Sequence, residues 1–149
     1  MGKIILEIEE KDLISYLQER SIEDFIECIA NPTEDFFVAL IEKYPRKFCY
    51  IPTENQTERI CLEAVKRKGY MLEYVKNQTE EICLEAVKQD GYALEYVENQ
   101  TKEICLEAVK QDGNALEFVT DQTEEICLEA VKQNKKAIEY VENKFTYLF

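Results

Sequence analysis

Apolar and polar positions follow one another along most of the chain in a block of 22 residues that recurs in tandem. Thr57, Thr79, Thr101 and Thr123 each open the pattern T-x-x-I-C-L-E-A-V-K. Blocks 79–100 and 101–122 are identical at 17 of their 22 positions. This agreement indicates that one structural unit was duplicated within the chain, which is typical of a repeat protein.

The apolar positions of one unit predict two helices joined by a glycine. Thr79 is suited to cap a helix, and two glutamates follow it in the first turn, where the helix dipole favours negative charge. Gly91 fits the left-handed residue that often follows the end of a helix. From Tyr92 to Val97 the apolar pattern resumes, which predicts a second, shorter helix. The apolar residues of the first helix are Ile82, Cys83, Leu84, Ala86 and Val87.

Two helices this short cannot bury their apolar sides alone, so neighbouring pairs must stack and share one core. The sequence therefore predicts an all-α fold, an α-solenoid of stacked two-helix repeats of 22 residues. A single coiled coil is excluded because glycines recur at the joint and the apolar residues do not hold a heptad. The predicted repeats are 33–56, which is diverged, 57–78, 79–100, 101–122 and 123–144.

The ends of the array depart from the repeat, as terminal repeats of solenoids do. The diverged unit is two residues longer than the others and carries Pro45 at the glycine position. Before it, residues 1–32 predict a helical N-terminal capping segment, in which 3–9 is open between strand and helix. In the last unit Lys135 replaces the glycine, and an aromatic tail follows at 145–149.

The charge of the chain bears on the partners it can bind. Its 149 residues have a formal net charge of -13. Binding to nucleic acid draws its affinity from clustered Lys and Arg, so nucleic acid is not expected, and anionic membrane surfaces are disfavoured for the same reason. No apolar run reaches the roughly 18 to 20 residues of a spanning helix. We expect an intracellular protein in a reducing compartment.

Four of the six cysteines occupy one helix position in successive units. Packed helices lie about 8 to 10 Å apart, whereas a disulfide needs Cα atoms within about 7 Å, so bridges between units are not expected. Without histidine or a C-x-x-C motif, zinc is also poorly supported. The column is predicted to be buried and to act as a small apolar side chain. Cys49 stands where later units carry glutamate and is expected to be exposed. The column consists of Cys61, Cys83, Cys105 and Cys127.

Other recurring residues have structural explanations. The Asn-Gln-Thr triplets at 55–57, 77–79 and 99–101 match a glycosylation pattern, but an inter-unit turn followed by an N-cap explains the same residues.

One glutamate column resembles a row of catalytic carboxylates or a cation site. Because each member has a lysine three residues on, a solvated face of ion pairs is favoured. This column consists of Glu63, Glu85, Glu107 and Glu129.

The sequence contains no signature of an enzyme. There is no histidine to act as a base, no glycine-rich loop to hold phosphate and no nucleophile elbow. We therefore expect no catalytic activity, no cofactor and no metal site.

Positions at which the copies differ are candidates for binding a partner, because packing keeps the other positions alike. Neutral drift on a solvated edge is the alternative explanation. The candidate binding residues are Arg67, Lys68, Tyr70, Lys76, Asp90, Tyr92, Glu98, Asp112, Asn114 and Thr120.

An aromatic column at Tyr74, Tyr96, Phe118 and Tyr140 is predicted to be core, with its hydroxyls at the boundary.

The pattern from Ile82 to Val97, I-C-L-E-A-V-K-Q-D-G-Y-A-L-E-Y-V, resembles a repeat family known as domain of unknown function 4116. The resemblance covers 57–141, and its most specific element is the A-V-K-Q-x-G joint at 86–91 and 108–113. It departs at Arg67 and Lys68 and again at Lys135. That family is met in giant DNA viruses and in some intracellular bacteria. The resemblance implies an α-helical repeat fold and a viral origin, and it implies no activity and no catalytic residues.

Two hypotheses for function follow. The leading one is a binding scaffold that presents its variable edge to a protein partner. The alternative is structural self-assembly, in which a homo-oligomer forms through the ends of the solenoid, with the aromatic tail 145–149 as one contact.

Overall fold

The computed structural model describes residues 32–149, so nearly all of the predicted capping segment, including 3–9, lies outside the described residues. In this range the chain forms helices and turns, and no strand occurs. The predicted all-α solenoid is therefore confirmed for 32–149. Five α-helices of ten residues recur along it: α1 (Glu34–Lys43), α2 (Glu58–Arg67), α3 (Glu80–Gln89), α4 (Lys102–Gln111) and α5 (Glu124–Gln133).

Each α-helix begins directly after a threonine that caps it. In α3, the backbone N–H of Ile82 donates a hydrogen bond to Oγ1 of Thr79 at 3.3 Å, and glutamates occupy the first turn. The same cap is present at the other four α-helices, including α1 of the diverged unit, which begins after Thr33. The predicted N-caps are confirmed.

The second element of each unit is a 3₁₀ helix of six residues, where the sequence predicted a second, shorter helix. A 3₁₀ helix rises about 2 Å per residue, so six residues cover roughly 12 Å, close to the roughly 15 Å of ten α-helical residues. The tighter winding therefore lets a short segment return the chain to the start of the next α-helix. These 3₁₀ helices are Pro45–Tyr50, Gly69–Tyr74, Gly91–Tyr96, Gly113–Phe118 and Lys135–Tyr140.

The glycine at the joint is not a left-handed residue, so that prediction is wrong. Gly91 opens the 3₁₀ helix, its φ is not positive, and Asp90, the residue between the end of α3 and Gly91, is extended with φ of -152°. Glycine is required here because the next helix comes very close. A Cβ at Gly91 would lie 2.7 Å from the carbonyl oxygen of Ala108 and 2.8 Å from Oε1 of Gln111.

The α-helices pack against their neighbours in one row and the 3₁₀ helices pack in a second row, which gives the array two layers. The core lies between the rows. In the unit from Thr79, Ile82, Ala86, Val87 and Leu94 are at most 1% exposed. The cysteine column is 0 to 4% exposed, and none of its four members is bonded to another, which confirms the buried thiols.

Both ends of the described array are modified. A short 3₁₀ turn, Thr53–Asn55, takes up the additional length of the first unit. At the other end a 3₁₀ helix, Asn143–Leu148, packs against α5, and its Phe145 and Leu148 contact the core. In α5 and the 3₁₀ helix after it, two apolar side chains are exposed to solvent. The equivalent side chains of the inner units are partly or fully buried. Leu128 is 46% and Ile138 is 45% exposed.

Candidate protein-binding surfaces

The fold separates the candidate residues between two opposite edges. One group follows the C-terminal ends of the α-helices, where the chain enters the 3₁₀ helices, and we call this the joint edge. A second group lies beside the N-terminal ends of the α-helices and forms the turn edge. Because a ten-residue α-helix is about 15 Å long, the two groups do not form one surface. The joint edge holds Arg67, Lys68, Tyr70, Asp90, Tyr92, Asp112 and Asn114, and the turn edge holds Lys76, Glu98 and Thr120.

Two acidic residues of the joint edge cap the 3₁₀ helices. Oδ1 of Asp90 accepts a hydrogen bond from the N–H of Tyr92 at 3.1 Å, and Asp112 does the same for Asn114 at 2.9 Å. Asn134 repeats this cap in the last unit. Lys68 occupies the equivalent position in the second unit and makes no such cap. Asp90 and Asp112 thus have a structural function as caps, which the side chain of Lys68 does not share.

On the turn edge, glutamine side chains connect successive units. Nε2 of Gln78 donates to the carbonyl oxygen of Tyr96 at 2.8 Å, and its Oε1 accepts the N–H of Glu98 at 3.0 Å. The thiol of Cys83 donates to the same Oε1 at 3.6 Å. Gln100 and Gln122 make the corresponding bonds one and two units on. The constant glutamine of the Asn-Gln-Thr triplet is thereby explained as an inter-unit connection.

The cysteine column has the chemistry of a core. Burial, the main cause, raises the pKa of Cys61, Cys83 and Cys105 to about 11, and it also raises the pKa of Cys127. Since thiolates are the reactive and metal-binding form, these thiols are inert near neutral pH. Within residues 32–149, no group of three or more Cys, Asp and Glu side chains is arranged to hold a metal ion.

The outer face of the α-helical row carries ion pairs. Lys88 lies 3.4 Å from Glu85 and Lys132 lies 3.2 Å from Glu129, each three residues apart on one helix. Lys110 and Glu107 repeat the pair at 3.9 Å. The predicted solvated face is confirmed for these helices. In α2 the partner differs, because Glu63 pairs with Arg67 at 2.7 Å.

The 3₁₀ row carries aromatic side chains and glutamates on its outer face. Tyr74 is exposed, and Tyr96, Phe118 and Tyr140 are partly buried, so the column lies at the boundary of the core and not fully within it. Charge repulsion by Glu73 raises the pKa of Tyr74, and Glu117 raises the pKa of Tyr140. The exposed glutamates of this face are Glu73, Glu95, Glu117 and Glu139.

One region of the joint edge is basic, and sequence reasoning did not single it out. An open depression of about 380 Å³ lies between the first two units. A second depression, of about 590 Å³, shares Arg46 and Lys47 with the first and is lined with tyrosines. The signal in the sequence was the run of cations at 43–47 in an otherwise acidic chain. The first depression is lined by Lys43, Tyr44, Pro45, Arg46, Lys47 and Lys68.

Stacked pairs of an α-helix and a 3₁₀ helix define a tandem helical-repeat protein. The family described as domain of unknown function (DUF4116) matches three overlapping segments of the chain, residues 57–102, 79–123 and 101–146. Because these segments begin 22 residues apart and together cover more than half of the chain, the chain belongs to this family. No curated protein and no solved structure matches it. In the part of the chain that the structure describes, no helix has the length and apolarity to cross a membrane.

Proposed function

We propose that the chain is a non-enzymatic repeat scaffold that binds a protein partner on the outer face of its 3₁₀ helices. The observation that carries the proposal is a column of aromatic side chains that crosses all five units and stays partly open to solvent. Tyr50 and Tyr74, its first two members, are 42% and 41% exposed. Aromatic side chains that are partly exposed in a row are typical of protein interfaces. The column is Tyr50, Tyr74, Tyr96, Phe118 and Tyr140.

The rigidity of the array favours this function. Each unit is fixed to the next through the core and through the glutamine bonds, so the aromatic rings are held at a regular spacing before a partner arrives. A preorganised surface loses little conformational entropy on binding. The α-helical face is a weaker candidate, because its lysines and glutamates already pair with each other.

Variable residues of the joint edge border the aromatic column and distinguish one unit from the next. The rings of Tyr92 and Phe118 meet edge to face with centroids 5.6 Å apart. Tyr70 and Tyr92 are replaced by Asn114 and Lys136 in the later units, so a partner meets a different surface in the two halves of the array. Lys76, Glu98 and Thr120 lie on the turn edge, and we expect them to contribute less.

Partner capture with matched variants tests the proposal. The double variant Tyr74→Ala/Tyr92→Asn removes two exposed rings, and its second change copies the residue that the chain itself has at 114. Because tyrosines often carry much of the binding energy of an interface, we expect capture of a partner from the expressing cell to fall about tenfold or more. The control Lys88→Ala/Lys132→Ala should retain the partner. Equal capture of the partner by both variants would contradict the proposal.

Self-assembly is a second candidate, and the open end of the last unit favours it. Leu128 and Ile138 are exposed there, and Tyr147 and Phe149 are 68% and 47% exposed. The same end on two copies would give a two-fold contact and a closed dimer. Sedimentation of the full chain beside a chain that ends at Lys144 tests this. A monomer in both cases excludes self-assembly through the tail.

We further propose that the protein functions in a reducing compartment. The four thiols of the cysteine column are buried and none is bonded to another, and free buried cysteines of this kind are common in proteins of reducing compartments. Thiol counting on protein isolated under non-reducing conditions, with and without denaturant, checks this expectation.

A further inference from the structure

We infer that the basic depressions between the first two units bind an acidic segment of a partner protein that carries an apolar side chain beside its carboxylates. This inference rests on the scaffold function proposed above and names the chemistry of one partner. Its basis is a group of cations that forms no ion pair with the acidic side chains of the described residues. This group adjoins the second depression, the hollow lined with tyrosines.

Within residues 32–149, the cations of the depression are not neutralised by acidic side chains. Lys43, Arg46, Lys47 and Lys68 line it together, and no acidic side chain of residues 32–149 forms an ion pair with any of them. Arg67 is adjacent in sequence but is paired with Glu63 at 2.7 Å and with Glu42 at 3.6 Å. Four like charges on one surface repel each other, and a bound anion would remove that repulsion. This group stands in a chain whose formal net charge is -13.

Later units provide an internal comparison. Lys68 occupies the position of Asp90 and Asp112, which cap 3₁₀ helices. Lys47 occupies the position of buried alanines in later units, Ala93 and Ala115. The first two units thus carry cations where the repeat otherwise has an acid or a small apolar residue. Packing does not require these cations, because the later units fold without them.

The adjoining hollow is suited to an apolar side chain. It shares Arg46 and Lys47 with the basic depression, and its other walls include Tyr50, Tyr70 and Tyr74. Nζ of Lys47 lies 5.3 Å from the ring centroid of Tyr50, so a cation borders the aromatic wall directly. A ligand that fits both parts needs carboxylates next to an aromatic or aliphatic side chain.

Tyr44 adds a polar group without a partner at the same place. Tyr44 lines the basic depression, and its hydroxyl is buried without a hydrogen-bond partner. Among buried side-chain oxygens and nitrogens of residues 32–149, this is the one atom in that state. Such atoms are uncommon and costly, which is consistent with a surface that is incomplete until it is bound.

A peptide suits this surface better than a nucleic acid. Beyond the hollow, the 3₁₀ face carries Glu73, Glu95 and Glu117, all exposed. A polyanion long enough to pair with all four cations would also meet these carboxylates, whereas a short acidic segment carries its charge only where the cations lie.

Selection from a random twelve-residue peptide library displayed on phage, with the full chain as bait, tests the inference. We expect enriched peptides to combine several Asp or Glu residues with one aromatic or aliphatic residue. Their affinity is then measured by fluorescence polarisation at low and high salt. For the variant Lys47→Ala/Lys68→Asp, which copies the residues of later units, we expect binding about tenfold weaker or worse, because carboxylate contacts are lost. A ten-nucleotide single strand serves as the competing probe.

The control Lys110→Ala/Lys132→Asp makes the same change in net charge on the α-helical face and should leave binding intact. Circular dichroism melts establish that both variants fold. Enriched peptides that are neutral or basic, equal weakening by both variants, tighter binding of the oligonucleotide, or no enrichment at all would overturn the inference. If peptides bind and lose affinity only with Tyr74→Ala/Tyr92→Asn, the scaffold function stands and the acidic partner does not.

Discussion

At the scale of single residues, the joint glycine is set by a neighbour from the next unit. In three units a Cβ at this position would lie within 2.7 Å of a backbone carbonyl oxygen of the following α-helix. Lys135 takes the position in the fifth unit, which no further α-helix of the described residues covers. The close approach of the next α-helix explains the glycine in these three units, whereas the diverged first unit carries Pro45 at this position although α2 follows it.

Replacing the glycine should test this explanation. We expect Gly91→Ala to lower the free energy of unfolding by about 1 to 3 kcal/mol, because the backbone around Ala108 must move to admit the methyl group. Lys135→Ala, at the same position of the uncovered unit, should change it by less than about 0.5 kcal/mol. Urea unfolding followed by circular dichroism measures both. Equal stability of Gly91→Ala and the unaltered chain would contradict the close approach.

At the scale of elements, each joint is tied to the next α-helix by a second set of glutamines. Oε1 of Gln111 accepts the N–H of Gly91 at 2.7 Å, and Gln133 bonds to Gly113 in the same way. The second unit lacks this glutamine. Arg67 stands at the glutamine position of the second unit, and the joint before it carries Pro45, which has no N–H to donate. Position 67 therefore does not need to be glutamine, because no backbone N–H is present there for a glutamine side chain to accept.

This pairing predicts different costs for one substitution at two equivalent positions. Gln111→Leu leaves the N–H of the buried Gly91 without an acceptor, which should cost about 1 to 3 kcal/mol. Arg67→Leu removes only exposed ion pairs, which are worth about 0 to 1 kcal/mol. Thermal and urea unfolding of the two variants, side by side, checks the difference. A loss at Arg67 as large as that at Gln111 would argue against the glutamine bond.

At the scale of the whole molecule, stability is shared among units that contact only their neighbours. The α-helices contact the next α-helix along the chain, and the 3₁₀ helices do the same. Such an array behaves as a sum of units and interfaces. Growth beyond the last unit is opposed by Lys135, where a following helix would need glycine, and by Lys144, where the other units have the bridging glutamine.

Inserting one unit should therefore succeed inside the array and fail at its end. A second copy of 101–122 placed after Gln122 adds a complete interface, so we expect a higher unfolding midpoint and an increase in length of about 8 to 10 Å by small-angle scattering. The same segment placed after Lys144 should not stabilise the chain. It should do so once Lys135→Gly and Lys144→Gln are introduced. Equal gains at both places would show that the end is not blocked.

The repeat unit, the capped α-helices and the buried cysteine column could all be predicted from the sequence, because each depends on local preferences or on apolar spacing that 22-residue copies display repeatedly. The 3₁₀ form of the second segment could not. It depends on the distance that the six-residue segment must span to reach the next α-helix, and this distance is set by how two units stack.

The candidate surfaces divide in the same way. Variation between copies identified Lys68 and Tyr92, but it could not separate surface positions from Asp90, whose side chain caps a 3₁₀ helix. Lys43, Arg46 and Lys47 escaped notice because their unit is too diverged to compare residue by residue. The sequence by itself determined the period, the caps and the core, since these follow from contacts near in the chain. Only the tertiary structure decided which residues of different units meet, because stacking brings together atoms that the chain holds about 20 residues apart.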